Sequence, residues 1–208
     1  MRPASEGPHK HAGPSGTRAH NRPLPACPWH DRRMTAPGTG DDDARAAAED
    51  LRELLAATVA ELQARRAPDE ALAEVRTKRS FGPIKRQPAM VSVGRAWRLG
   101  VLLLSADGSL RRTGSITRAV EPTRSQGLDS GVEARKEARR QAVRAFAEGD
   151  AVDYDWEPIA LDAGSLAAGS GPLSLRGREL RVQWGPAAHE TRALDAYLAD
   201  RIEVLGMG

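Results

Sequence analysis

The chain from residue 41 onward alternates between helical and strand-like spacing of its apolar residues. From Asp41 to Arg66, Leu51, Leu55, Val59 and Leu62 recur at i, i+4, i+8 and i+11, with Leu54 beside them; this is the stripe of an amphipathic helix. Asp41, Asp42 and Asp43 put negative charge at the positive end of its dipole. Pro68 breaks the run and suits the first turn of a second, shorter helix reaching about Thr77, with Leu72 and Val75 inward. Lys78 to Gln87 is a basic, turn-rich connector holding Gly82 and Pro83.

The densest apolar run, Leu99 to Leu104, lies within Arg95 to Val120, and Asp107-Gly108 suits a type I′ hairpin turn there. A two-residue loop at that point sets Leu99 opposite Ile116, Val101 opposite Gly114 and Trp97 opposite Arg118. Leu102 and Leu104 make the second face apolar as well, so the first strand is expected to be central and covered by helices on both sides. Arg98 and Arg112 then either lie near strand ends with their heads in water or mark a groove.

Pro122 to Asp129 reads as a linker, after which Ser130 and Glu133 have the spacing of a capping box. The helix it opens runs to about Ala147, stops at Gly149 and buries Ala134, Ala138, Ala142 and Phe146. Lys136, Arg140 and Arg144 form a cationic ridge on it, with Arg135 and Arg139 alongside. Asp150 to Ile159 alternates as a half-buried strand, with Val152, Tyr154 and Trp156 on one face and Asp153, Asp155 and Glu157 on the other. Leu161 to Gly171 is a small-residue loop. A second hairpin follows, Leu173 to Leu175 and Glu179 to Trp184, turning at Arg176-Gly177-Arg178 with Leu180, Val182 and Trp184 inward. Glu190 to Leu205 closes the chain as a helix with Leu194, Leu198, Ile202 and Leu205 in its stripe and Tyr197 at the border. These elements predict one α+β domain over 41–208: an antiparallel sheet of two hairpins plus one strand, packed against about four helices.

The formal charge of +3 does not survive removal of the leader. Of 31 basic and 28 acidic residues, six and two lie in the first 33, and the remaining 25 and 26 leave a body of net charge −1. Bulk charge therefore argues against nucleic acid as the partner. With six prolines in residues 1–33 and no helical apolar spacing there, residues 1–40 are expected to be a disordered leader, and Met34-Thr35-Ala36-Pro37 reads as the true start. The one cysteine, Cys27, and four of the five histidines are in that leader. No apolar run is long enough for a membrane span or a secretory segment, so a cytoplasmic protein is expected.

The candidate chemistry is sparse. Asp153, Asp155 and Glu157 on one strand face could hold Mg²⁺ or supply an acid/base pair, because mutual repulsion raises one carboxyl pKa, although a solvated acidic edge is the expected reading; His189 is the body's only imidazole. Lys136, Arg140 and Arg144 could bind an anionic partner. Neither Ser-x-x-Lys nor G-x-S-x-G occurs, and no metal or cofactor signature is present.

Trp97-Arg98-Leu99-Gly100-Val101-Leu102-Leu103-Leu104, then Ser170-Gly171-Pro172-Leu173 and the terminal Leu194-x-x-Tyr197-Leu198-x-x-Arg201-Ile202-Glu203-Val204-Leu205 resemble a family of small, mostly uncharacterised proteins from high-GC actinobacteria, some of them labelled glutaminase. The resemblance covers about Asp41 to Leu205. It implies kinship of fold and, through the label, hydrolysis of a side-chain amide with release of ammonia. The residues themselves point first to a non-catalytic interaction or regulatory module with a protein or anionic partner, and second to such an amidohydrolase.

Overall fold

The computed structural model describes residues 40–77, 88–122 and 130–206; the leader, the basic connector 78–87 and the linker residues 123–129 lie outside the described residues. Helix α1 (Gly40–Ala64) follows the expected stripe, with Leu51, Leu55, Val59 and Leu62 buried. Strand β1 (Glu70–Arg76) takes the place of the short helix expected after Pro68. A helix of that length is marginal in isolation. As a strand the segment is paired on both sides, antiparallel with β2 (Ala89–Leu99) and parallel with β6 (Ala151–Tyr154). Leu72 is buried there, while Val75 is exposed.

The expected hairpin at residues 95–120 contains two turns. Strand β2 first folds back on β3 (Leu102–Leu104) at Gly100-Val101, with Gly100 at φ +65° in the first loop position, the glycine placement of a type II′ turn. A Cβ on Gly100 would lie 2.1 Å from the Tyr197 hydroxyl oxygen. That hydroxyl accepts from the Val101 amide and donates to the Leu99 carbonyl, fixing the turn. Strand β3 then pairs with β4 (Leu110–Arg112), and Leu104 faces Leu110, one residue out of the expected register. The loop needs only one residue at positive φ, Gly108 at +80°, because the Gly108 amide closes a turn onto the Ser105 carbonyl and the Ser105 amide reaches Ser109. Leu99 accordingly faces Leu102, not Ile116.

The strand expected over 150–159 is broken into β6 and β7 (Glu157–Pro158), with Asp155 between them at φ +55°. Thr113-Gly114 likewise separates β4 from β5 (Ser115–Arg118). Strand β5 pairs with β6 and β4 pairs with β7, and both ladders are antiparallel in one continuous register: Ser115 faces Tyr154, and Arg112 faces Glu157. The seven segments, in the order β5-β6-β1-β2-β3-β4-β7, therefore join end to end. Two long strands, 110–118 and 151–158, close the sheet into a small barrel. This mixed, closed sheet replaces the open antiparallel one expected from the sequence.

Strand alternation assigns the two faces of the barrel. The inner face carries Leu72, Ala96 and Leu103, packed with Trp156, whose indole N–H donates to the Ala73 carbonyl. All four helices lie outside, where covering helices had been expected on both faces. Helix α2 (Ser130–Ala145) packs Ala138 and Ala142 on Ala71, Ala73, Met90 and Val152, and Ala134 is exposed. Helix α3 (Ala163–Ala168) forms where a loop was expected, because the Asp162 carboxylate accepts from the Ser165 amide and Leu166 is buried against α1. Helix α4 (Leu194–Gly206) buries Leu194, Tyr197, Leu198 and Ile202.

A second, three-stranded sheet consists of β8 (Leu173–Arg176), β9 (Glu179–Gln183) and β10 (Thr191–Ala193). The residues 191–193, expected as helix, are strand because they pair with β9. Leu180 and Val182 are buried, but Trp184, just past the end of β9, is 50% exposed.

Closure of the barrel depends on Gly114. A Cβ there would lie 2.1 Å from the Asp155 carbonyl oxygen and 2.6 Å from that of Tyr154. Both are backbone atoms of the partner strand and cannot yield cheaply. Gly114→Ala is expected to destabilise the fold by about 3 kcal/mol, measured by urea unfolding. A change within experimental error would show that the two long strands do not pair through this point.

Candidate functional site

The sequence candidates do not converge. Asp153, expected on a solvated strand face, is fully buried inside the barrel. Asp155 and His189 are exposed, the first at the break between β6 and β7 and the second in the loop before β10, in the other sheet. Glu157 pairs with Arg112 at 3.3 Å on the surface. Among the described residues, no three His, Cys, Asp or Glu side chains are grouped to hold a metal ion.

Inside the barrel, Asp153 Oδ1 accepts from the Arg98 guanidinium, and the Asp153 carboxyl is hydrogen-bonded with Glu70. Asp153 Oδ2 and Glu70 Oε2 are both buried without another partner. One proton held between the two carboxyl groups satisfies both oxygens at once. Burial, and next the hydrogen bond with Glu70, push the Asp153 carboxyl up to about 7, against the opposing pull of Arg98. A raised carboxyl pKa is a common mark of an active site. Here the group has no accessible surface, so no substrate can reach it. Arg111 lies 4.8 Å from the Trp156 ring centroid and donates to the Ser105 hydroxyl.

The ridge on α2 is largely neutralised by its own helix. Lys136 pairs with Glu133 at 2.8 Å and Arg140 with Glu137 at 2.8 Å. The Lys136 bond holds the Glu133 carboxyl below its usual range, and the bonds from Gln141 and Arg140 do the same for Glu137. Arg144 is exposed at the helix end.

The arginines beside that ridge behave differently. Arg135 and Arg139 line a cavity of about 280 Å³ together with Arg118 of β5, over a floor of Ala138, Ile116 and Tyr154. Among the described residues no carboxylate lines it. Among the described residues Arg135 and Arg139 have no hydrogen bond or ion pair, and Arg118 donates only to the Gly149 carbonyl. Helix α2 supplies two of the guanidinium groups one turn apart. The β5–β6 pairing brings the third alongside, since Arg118 faces Ala151. Three guanidinium groups around an apolar and aromatic floor can grip a carboxylate or phosphate by paired N–H donors. A sequence signal for this site exists: neither Arg135 nor Arg139 has an acidic residue three or four positions away, whereas Lys136 and Arg140 each have a glutamate at i−3.

A cavity of about 590 Å³ lies between α1 and the 105–109 turn. Leu55, Ala56, Val59 and Leu161 line it, and among the described residues its charged groups are Arg52 and Asp107. Asp107 is already committed to the Ser109 amide, which holds its carboxyl below the usual range.

The interior carboxyl predicts a pH dependence. The unfolded chain releases the Asp153 proton near 4, and the folded chain does so near 7. The native state thus binds this proton more tightly, and its stabilising effect is complete at low pH and lost as pH rises toward 7. Asp107, Asp162, Glu133 and Glu137 all have lowered pKa values and titrate below this window. The melting temperature should therefore fall between about pH 5 and pH 7, inside the span from the unfolded to the folded pKa, and level off above it, and Asp153→Asn should flatten the fall. An equal fall in the variant would exclude Asp153 as its source.

No protein-family model, curated protein or solved structure matches this chain.

Proposed function

We propose that the protein is a non-catalytic interaction or regulatory module that binds an acidic partner through Arg118, Arg135 and Arg139. The observation that carries this reading is their convergence on one cavity with no carboxylate among the described residues of its lining. The body around them has a net charge of −1, so the cluster is a local feature and not a sample of a generally basic surface. A partner that presents carboxylates or phosphates on an exposed segment fits both the charge and the apolar floor. The cysteine-free body suits a cytoplasmic setting, and among the described residues no helix is long and apolar enough to cross a membrane.

Side-chain amide hydrolysis, the activity implied by the resemblance, has less support. It needs an activated nucleophile and a base within reach of one another. Asp153 is sealed in the barrel, and Asp155 and His189 are exposed on different sheets.

The test uses the full chain and a labelled oligoglutamate peptide, with affinity followed by fluorescence anisotropy as salt is raised. Binding is expected to be salt-sensitive and to fall about tenfold or more in Arg135→Glu/Arg139→Glu. It should be nearly unchanged in Arg140→Gln/Arg144→Gln, which alters the ridge. Equal losses in the two double variants, or no binding, would remove the cluster as the site. Ammonia release from glutamine by the same preparation, abolished by Asp153→Asn, would replace this reading with the hydrolase.

A further inference from the structure

We propose that the cleft around Trp184 is a second binding site, for a small planar aromatic anion. Its ring would stack on the indole and its carboxylate or phosphate would meet Arg201. The site shares no lining residue with the α2 cluster and does not rest on it. Two cavities, of about 490 and 350 Å³, share Trp184 and Val101 in their linings. Each is within the size range of small-molecule sites, about 300–1,000 Å³.

Trp184 is half exposed at this junction, although Leu180 and Val182 on the strand before it are buried. A large indole left in water, with cavity on either side, offers a face for stacking. Arg201 supplies the charge. Its Nε is buried without a partner, and among the described residues its guanidinium forms no hydrogen bond or ion pair. The other two arginines of the cleft are already engaged, Arg192 with Asp200 and Arg112 with Glu157. Arg201 is therefore the cation with donors to spare.

It is also held in place. The Arg201 guanidinium carbon lies 5.3 Å from the Tyr197 ring centroid, and Tyr197 is fixed by its hydroxyl at the Gly100-Val101 turn. The Tyr197 hydroxyl proton is already donated to the Leu99 carbonyl and cannot be donated to an anion as well, so Tyr197 orients Arg201 as a positioning residue. A preset cation beside an exposed indole loses little freedom when an aromatic anion arrives. A neutral ring would satisfy only the indole, and a bare anion only Arg201.

Isothermal titration of the full chain with adenosine monophosphate and with 1-naphthoate tests the proposal, with adenosine and 1-naphthylmethanol as neutral counterparts. At least one anion is expected to bind at millimolar concentration or below, about tenfold tighter than its neutral counterpart. Adenosine monophosphate alone would identify a phosphate-bearing ligand, and naphthoate alone a carboxylate-bearing one. Trp184→Ala and Arg201→Met should each weaken binding about tenfold, with circular dichroism melts confirming that both variants fold. Arg135→Glu/Arg139→Glu should leave it unchanged, which separates this site from the acidic-partner site. Failure of both anions to bind, or equal binding by the Trp184 and Arg201 variants, overturns the proposal.

Discussion

The architecture depends on one ladder. Strands 110–118 and 151–158 pair from end to end through two interruptions, Thr113-Gly114 and Asp155-Trp156. At that point the chains approach so closely that Gly114 has no room for a Cβ. Without this contact the seven segments would form one open sheet, with β5 at one edge and β7 at the other. With it, the two ends of the sheet meet, and every strand gains an inside and an outside. The helices, each with one apolar face, then have only the outside to cover.

Closure also fixes the state of the charges inside. Glu70 and Arg98 both fall on the inner face by strand alternation, as does Asp153 beside Leu72. Two ionised carboxylates so close in a desolvated space would repel, and Arg98 can neutralise only one of them. Retaining a proton on the pair is the cheaper solution, and Asp153 is raised accordingly. The same burial that produces an enzyme-like pKa removes the access that an enzyme would need. A perturbed titration marks a functional site only when a substrate can touch it, and Asp153 itself has no exposed surface.

Much of the helical layer was legible in the sequence because its signal is local. The stripes of α1 and α4 recur over three turns and survive intact. The strands were legible as apolar runs but not as a topology. Gly100 reads as one more small residue in an apolar run until Tyr197, 97 positions away in the chain, pins the turn. Residues 70–76 have no strong strand propensity and become a strand through neighbours on both sides. Asp153 alternates with Val152 as a polar residue should, but alternation cannot distinguish solvent from the inside of a closed barrel. Trp184 follows the inward parity of Leu180 and Val182, yet it lies past the last paired residue of β9, where parity no longer decides burial.

The α2 helix shows how charge should be weighed along such an element. Counting cations gives five in ten residues from Arg135 to Arg144 and picks the longest row as the interface. Pairing gives a different answer. Glutamates at i−3 engage Lys136 and Arg140, and exposed pairs of this kind are worth a few tenths of a kilocalorie to the helix (about 0.2–0.5 kcal/mol). Arg135 and Arg139 are like charges at i, i+4, a spacing that costs the helix a similar amount. A third guanidinium, Arg118, adds to that repulsion from the neighbouring strand. Helix stability does not explain this placement, and neither does packing, since Arg135 and Arg139 are exposed. An anion in the cavity would reverse the sign of all three interactions at once, turning a mildly destabilising cluster into a preorganised site.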